Sequence, residues 1–425
     1  MTSNVTVNAG IRYDRQGIEQ PDTRNPNAQL AAAGIDTSFI PEDDNNIGLR
    51  AGIAWTPGFS SRTVVRAGYG TFYGRTPAIM VGTAHSNNGI NVQTYTFTGA
   101  AVPTYPDFFE SIPTGGAAQR PSIFVFDKDF ENPMVHQFSA GAEHGLTNDF
   151  SVGLNYQFVQ GDSLPRSIDI NVGEFTTATV PNTNLTYRQY SLTRPFTGFT
   201  RIIEFQSTAN SEYNGVTLDL NRRFTTNWQA RLAYTYSTVK DDKPDATAVV
   251  PFGGDDAKFA QDPLDLDGDW SYGDNDVRHR VVLSGLWNFD NGAPRASRIL
   301  EALLDGWTIS GIASYQTGQP YSGIIGFDLN RDGNARNDRA PGLDRNTFRL
   351  PDQFSIDPRI TKDFRIAGDL HMQLIAEAFN VLNESNVNFE RNTYMSNTFQ
   401  PLANFGEPTG SAGPRIVQLA AKLRF

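Results

Sequence analysis

Arg415-Ile416-Val417-Gln418-Leu419-Ala420-Ala421-Lys422-Leu423-Arg424-Phe425, the last stretch of the chain, alternates with period two. Successive side chains of an extended strand point to opposite faces. Val417, Leu419, Ala421, Leu423 and Phe425 therefore share one side, with Gln418, Lys422 and Arg424 on the other. One face suits an apolar medium and the other suits water. That medium is either the interior of a soluble sheet or lipid, and the stretch alone leaves both open. The choice turns on whether the pattern repeats.

It does repeat. Val5, Val7, Ala9, Ile11 and Tyr13 alternate with Thr6, Asn8, Gly10 and Arg12; Ile47, Leu49, Ala51, Ile53 and Trp55 form the next apolar face. The short turn at Thr56-Pro57-Gly58 leads to Val65, Ala67, Tyr69, Thr71 and Tyr73, backed by Arg66, Gly68, Gly70 and Phe72. A strand around Phe138, Ala140 and Ala142 turns at Thr147-Asn148-Asp149 into Phe150, Val152, Leu154, Tyr156 and Phe158. Val216, Leu218 and Leu220, backed by Asp219, turn at Thr225-Thr226-Asn227 into Trp228, Ala230, Leu232, Tyr234 and Tyr236, backed by Arg231. Val281, Leu283, Gly285, Trp287 and Phe289 follow, with Arg280 behind, then a medium turn and Trp307, Ile309, Gly311, Ala313 and Tyr315. Strands at about 354 to 365 and 370 to 382 flank Ala367-Gly368-Asp369, and the closing stretch completes twelve. Long and short connections alternate throughout.

Composition narrows the reading. In 425 residues the hydrophobic fraction is 39% and the mean hydropathy -0.41, and no apolar run approaches the roughly 18 residues of a spanning helix. Strands wet on one face and greasy on the other average out as polar, so a spanning β-barrel remains allowed. The net charge of -11 and pI near 5.0, with no basic stripe, argue against a nucleic-acid partner. There is no Cys, hence no disulfide framework or thiol chemistry. Thr2-Ser3-Asn4 and a strand follow Met1 directly, without a signal peptide, so for an envelope protein an amino-terminal part is expected to be missing here.

Twelve strands joined by tight turns at one end and long loops at the other have the topology of an antiparallel transmembrane β-barrel, all-β, taking residues 1–425 as one unit. Both chain ends then fall on the periplasmic side of a bacterial outer membrane. The aromatics support this by sorting to strand ends on the apolar face, as interfacial girdles require. Trp55, Tyr73, Tyr156, Tyr236 and Tyr315 are expected at the loop end; Phe150, Trp228, Trp307 and Phe425 at the turn end. A soluble sandwich alternates too, but has no reason for that sorting. Gln418, Leu423 and Phe425 resemble, in register, the carboxy-terminal signal read by the barrel-assembly machinery, with Ala420 where that pattern prefers Gly.

Several stretches carry a wider resemblance: Arg66-Ala67-Gly68-Tyr69-Gly70-Thr71-Phe72-Tyr73, Asn132-Pro133 with Gln137, Tyr213-Asn214, Asp276-Val277-Arg278-His279-Arg280, Gly318-Gln319-Pro320-Tyr321 and Glu377-Ala378-Phe379-Asn380-Val381-Leu382-Asn383. In their order they resemble the barrel of an Oar-like TonB-dependent receptor. The resemblance implies a 22-stranded barrel, of which this chain is the carboxy-terminal portion, with a plug and TonB box ahead of it that this chain lacks. It implies uptake of a large or scarce solute, energised by TonB through the missing amino-terminal region, in contact with outer-membrane lipid and lipopolysaccharide. A plug-free passive pore, or a surface adhesin using the long loops, is the rival reading.

Enzyme chemistry has no support: there is no G-x-S-x-G, H-E-x-x-H, P-loop or Cys nucleophile, and His85, His136, His144, His279 and His371 are scattered. Asp328-Leu329-Asn330-Arg331-Asp332-Gly333-Asn334 places oxygen ligands at positions 1, 3 and 5 and Gly at 6, which suits Ca²⁺. Arg339 stands where the bidentate Glu belongs, so Asp338 has to substitute. An Asx-rich turn capping its own backbone is the equal alternative. Asp265, Asp267, Asp269, Asp274 and Asp276 read as a solvated acidic loop. Arg12, Arg66, Asp219, Arg231, Arg280 and Glu377 project to the polar face, which in a barrel lines the lumen. There they form a salt-bridge lattice across the wall or contact plug or solute.

Overall fold

The structure, a computed structural model, describes residues 4–111, 117–243, 249–251, 253–289 and 305–425. Its main sheet is a wall of twelve strands: β1 (Val5–Asp14), β2 (Asn46–Trp55), β3 (Thr63–Tyr73), β4 (Met134–Gly145), β5 (Phe150–Asp169), β6 (Ile202–Thr225), β7 (Trp228–Asp241), β8 (His279–Asn288), β9 (Trp307–Gln316), β10 (Gln353–Ala367), β11 (Leu370–Phe379) and β12 (Ile416–Arg424). Each pairs antiparallel with the next, so spatial order is chain order. Two short strands, Ile123–Phe126 beside β6 and Ser271–Tyr272 beside β7, extend the sheet. The all-β antiparallel wall and its twelve strands are those expected from the alternation.

Turn chemistry explains the short connections. Thr226 and Asn227, both with positive φ (45° and 72°), make the two-residue link between β6 and β7, since a hairpin with the sheet's twist needs two such residues. Between β10 and β11 Gly368, at φ 56°, supplies the one left-handed residue of the link. Strand β11 stops at Phe379 rather than near residue 382, because Asn380 turns to φ 48°. The connection between Phe289 and Trp307 lies largely outside the described residues.

Register fixes the two faces. Val152, Leu220, Leu232, Leu283, Ala313 and Ile356 stand opposite one another across six neighbouring strands, so apolar side chains form unbroken rows. This face is not a core: Leu283 is 46% exposed, Trp287 55% and Leu419 78%. Trp55 is a correction to the aromatic girdle. It pairs with Val5 at the turn end, its ring edge-on to Phe59, because β2 runs from loop side to turn side.

The buried hydrophobics lie elsewhere. Ile40, Met80, Phe124, Phe126, Phe130, Phe205 and Val249 pack into one cluster, and Leu30, Ile123, Val125, Phe199 and Ile202 into a second. Apart from the loop-side tip of β6, all come from the long links. Those links therefore form a cap with its own core, around Ile123–Phe126 and the short helix Ala78–Ser86. The strands β5 and β6 continue past the wall to anchor it, Phe205 pairing with Phe126 and Ser167.

Among the described residues two cations, Arg222 and Lys362, interrupt the apolar face at its turn end. Arg222, 8% exposed, stacks on Trp228 (3.4 Å to the ring centroid) and Phe150 (5.3 Å), donating to the Trp228 carbonyl at 2.8 Å and Thr226 Oγ1 at 2.9 Å. Lys362 lies near Trp307 and Phe364 and donates to the Asp305 carbonyl. Each long side chain covers apolar surface while its charge meets aromatic faces and backbone oxygens.

Candidate functional site

The polar face gathers the six side chains expected there. Following register across the wall, Arg12, Arg66, Asp219, Arg231, Arg280 and Glu377 all fall on the side opposite the apolar rows. Arg66, Asp219 and Arg231 line one depression of about 410 Å³ together with Glu143, Asn155 and Asn221. Arg231 grips Asp219 at 2.6 Å, Arg359 holds Glu377 at 2.9 Å, and Arg66 reaches Glu143 at 3.7 Å. Arg12 pairs along its own strand with Asp14 at 2.8 Å, while Arg280 has no ion pair among the described residues. The partners Glu143 and Arg359 are set by neighbouring strands, so parity within one strand did not reveal them. Such exposed pairs contribute about 0–1 kcal/mol each. Their effect is on the charge pattern of the face.

At Gly70 of the quoted β3 motif the missing side chain leaves room for a neighbouring ring. A Cβ there would stand 2.9 Å from the Phe72 ring, which folds back over it while Arg50 stacks on the ring at 4.4 Å. On β12, Gln418 lies opposite Glu377 and Leu423 opposite Met372, with Phe425 just beyond, fully exposed. Among the described residues β12 pairs only with β11, and β1 only with β2.

The acidic link is only in part the solvated loop expected: Asp265, Asp267 and Asp274 are exposed, but two of its carboxylates are not. Asp269 and Asp276 are 3% and 0% exposed. Asp269 pairs with Arg339 at 2.5 Å; Asp276 pairs with Arg349 and accepts from the Val239 amide at 2.7 Å. Arg345 joins Asp241 at 2.5 Å and Asp274 at 3.5 Å. Three arginines of the 317–352 link thus neutralise carboxylates of the 242–278 link and of β7, because buried charges are tolerated only when paired. A cleft of about 480 Å³ opens beside them, lined by Asp269, Arg336, Arg339, Arg345, Tyr321 and Glu390 among others.

Next to this network lies the Asp328–Asp338 loop. Asp328 Oδ2 accepts from the Gly333 amide at 3.1 Å, Asn330 Oδ1 from Asp332 at 2.9 Å, and Asp332 Oδ1 from Asn334 at 2.7 Å. Gly333 supplies the left-handed φ of 91° at the sixth position. The side-chain amides of Asn330, Asn334 and Asn337 donate outward to the carbonyls of Gln261, Asp256 and Ala260. Burial, reinforced by neighbouring carboxylates, pushes Asp332 up to about 7 and Asp338 up to about 8.

A continuous wall with a lipid-type face outward and a charged face behind it defines a transmembrane β-barrel wall. The chain belongs to the outer membrane beta-barrel domain family, whose profile matches residues 1–344 and 342–418, and its place is the bacterial outer membrane. No curated protein matches it. Among solved structures it is similar to the outer membrane transporter YddB from Escherichia coli (TM-score 0.50, 11% identity, 89% of this chain and 41% of that one). It is also similar to the siderophore receptor PiuA from Acinetobacter baumannii (TM-score 0.48, 12% identity, 100% and 41%) and the FrpB iron transporter from Neisseria meningitidis (TM-score 0.48, 12% identity, 99% and 43%). The chain spans about two fifths of the length of the solved chains it matches.

Proposed function

We propose that this chain is the wall and loop cap of an Oar-like TonB-dependent receptor, which takes up a large or scarce solute through a plug carried by the full-length protein. The observation that carries the reading is the pairing of an ordered cap of long links with a charged polar face on one wall. A passive pore needs no such packed cap. On this reading Arg12, Arg66, Asp219, Arg231, Arg280 and Glu377 line the lumen and meet plug or solute. Further strands of the full-length protein close the wall between β1 and β12, since an unpaired edge in lipid leaves backbone groups unsatisfied at a cost of several kcal/mol each. Gln418, Leu423 and Phe425 are read by the assembly machinery.

Planar-bilayer recording on the purified full-length protein tests this. A plugged receptor gives no steady open conductance, and loses photo-cross-linking to TonB when its amino-terminal box is deleted. A steady ohmic conductance without TonB overturns the reading in favour of the passive pore; surface binding to host matrix without either property favours the adhesin.

A further inference from the structure

We propose that the Asp328–Asp338 loop binds a Ca²⁺ ion. Three side-chain oxygens of this loop have nothing to accept from. Asp338 is fully buried; its Oδ2 accepts from the Leu329 amide at 3.0 Å, yet its Oδ1 meets no donor. Asn337 is 6% exposed, and because its Nδ2 is committed to the Ala260 carbonyl at 2.7 Å, its Oδ1 is turned away and also unpartnered. Asp328 Oδ1 is a third. A buried polar atom left unsatisfied costs about 1–3 kcal/mol, and more when charged. Three from one short loop need a common compensation.

The surrounding arginines do not provide it. Arg194 donates to the Asp332 carbonyl at 2.6 Å, Arg201 to the Gly333 carbonyl at 3.1 Å, and Arg339 turns to Asp269. None of Asp328, Asp332 and Asp338 forms an ion pair among the described residues. The neighbouring acidic link shows the contrast, since its buried Asp269 and Asp276 each have a guanidinium. What remains is a set of carboxylate and amide oxygens from one short loop, with no side-chain cation paired to its carboxylates among the described residues. A hard cation fits that chemistry.

Ca²⁺ is favoured over Mg²⁺ because it accepts six to eight irregular oxygens, whereas Mg²⁺ demands near-octahedral geometry and keeps its waters. Among the described residues no three His, Cys, Asp or Glu side chains are already grouped as for a metal. On binding, the ion draws Asp328, Asp332 and Asp338 together around the Asn337 oxygen. With no Glu at the closing position, affinity falls in the weak range, a Kd of about 10⁻⁴–10⁻³ M.

The test uses the folded full-length protein in detergent, stripped with chelator and titrated with CaCl₂ alone. The expected result is one site per chain, weakened at least about tenfold by Asp338→Asn and by Asp328→Asn, and unchanged by Asp265→Asn in the acidic link. Trypsin cleavage after Arg331 or Arg336 of the unmutated chain gives a second readout that needs no variant. Millimolar Ca²⁺ should slow that cleavage, and equal Mg²⁺ should not. Absence of binding at about 10 mM, unchanged affinity in both variants, or equal protection by Mg²⁺ overturns the proposal.

Discussion

The wall and the cap solve opposite problems with the same residue types. In the wall, Leu283, Trp287 and Ile309 point outward and stay about half exposed; in the cap, Phe205, Met80 and Ile123 are buried to 0%. Wall strands hold together by backbone pairing between neighbours, and their apolar side chains are satisfied by lipid. Cap links hold together as a soluble domain does, by removing apolar surface from water and pairing buried charges. Hydrophobicity alone therefore does not locate the core of this molecule. The direction in which each apolar residue faces does.

Substitutions that exchange these two logics separate them. Phe205→Ala should have the largest effect, about 3–5 kcal/mol, because it empties a packed site in the cap. Hydrogen exchange should show the links loosening while the wall keeps its heat-modifiable mobility on a gel; simultaneous loss of both would make wall and cap one cooperative unit. Leu283→Arg comes next, at about 2–4 kcal/mol for a cation near mid-membrane, whereas Ser284→Arg on the adjacent polar face should change denaturant stability by under about 1 kcal/mol. Equal costs at 283 and 284 would break the two-face description.

Arg222→Ala removes a cation held between Phe150 and Trp228 and should cost about 1–2 kcal/mol, measured by urea unfolding in bilayers. Arg222→Lys should recover only part of that, since an ammonium does not stack as a guanidinium does. Phe425→Asp should cost only about 0–1 kcal/mol at the interface. It should nevertheless block insertion in cells while Arg424→Ala does not, and normal insertion of Phe425→Asp would remove the assembly role.

The wall was legible because period two is local: each strand announces its two faces without reference to any other. The same parity placed Arg231 and Glu377 correctly on the polar face. Trp55 was misplaced because a girdle position depends on strand direction as well as face. The cap was largely illegible, since its core residues arrive one or two per link, as with Leu30, Ile40 and Val249. The continuous apolar run Ile123-Phe124-Val125-Phe126 carries a local signal of burial, but it has no period-two alternation and so did not stand out from its link. Asp269 and Asp276 looked solvated because their partners Arg339 and Arg349 lie 70 and 73 residues along the chain. The Asp328 loop stood out by its spacing, but the orphaned Asn337 oxygen is visible only once Ala260 is seen to fix the amide.

The absence of native Cys allows the central claim, a wall with one lipid face and one polar face, to be measured directly. Single cysteines placed in turn from residue 280 to residue 287 of β8, spin-labelled in bilayers, report access to lipid-soluble oxygen against a water-soluble nickel chelate. Oxygen access should peak at positions 281, 283, 285 and 287, with the chelate favoured at 280, 282, 284 and 286. A profile without period two, or one in the opposite phase, would contradict the account.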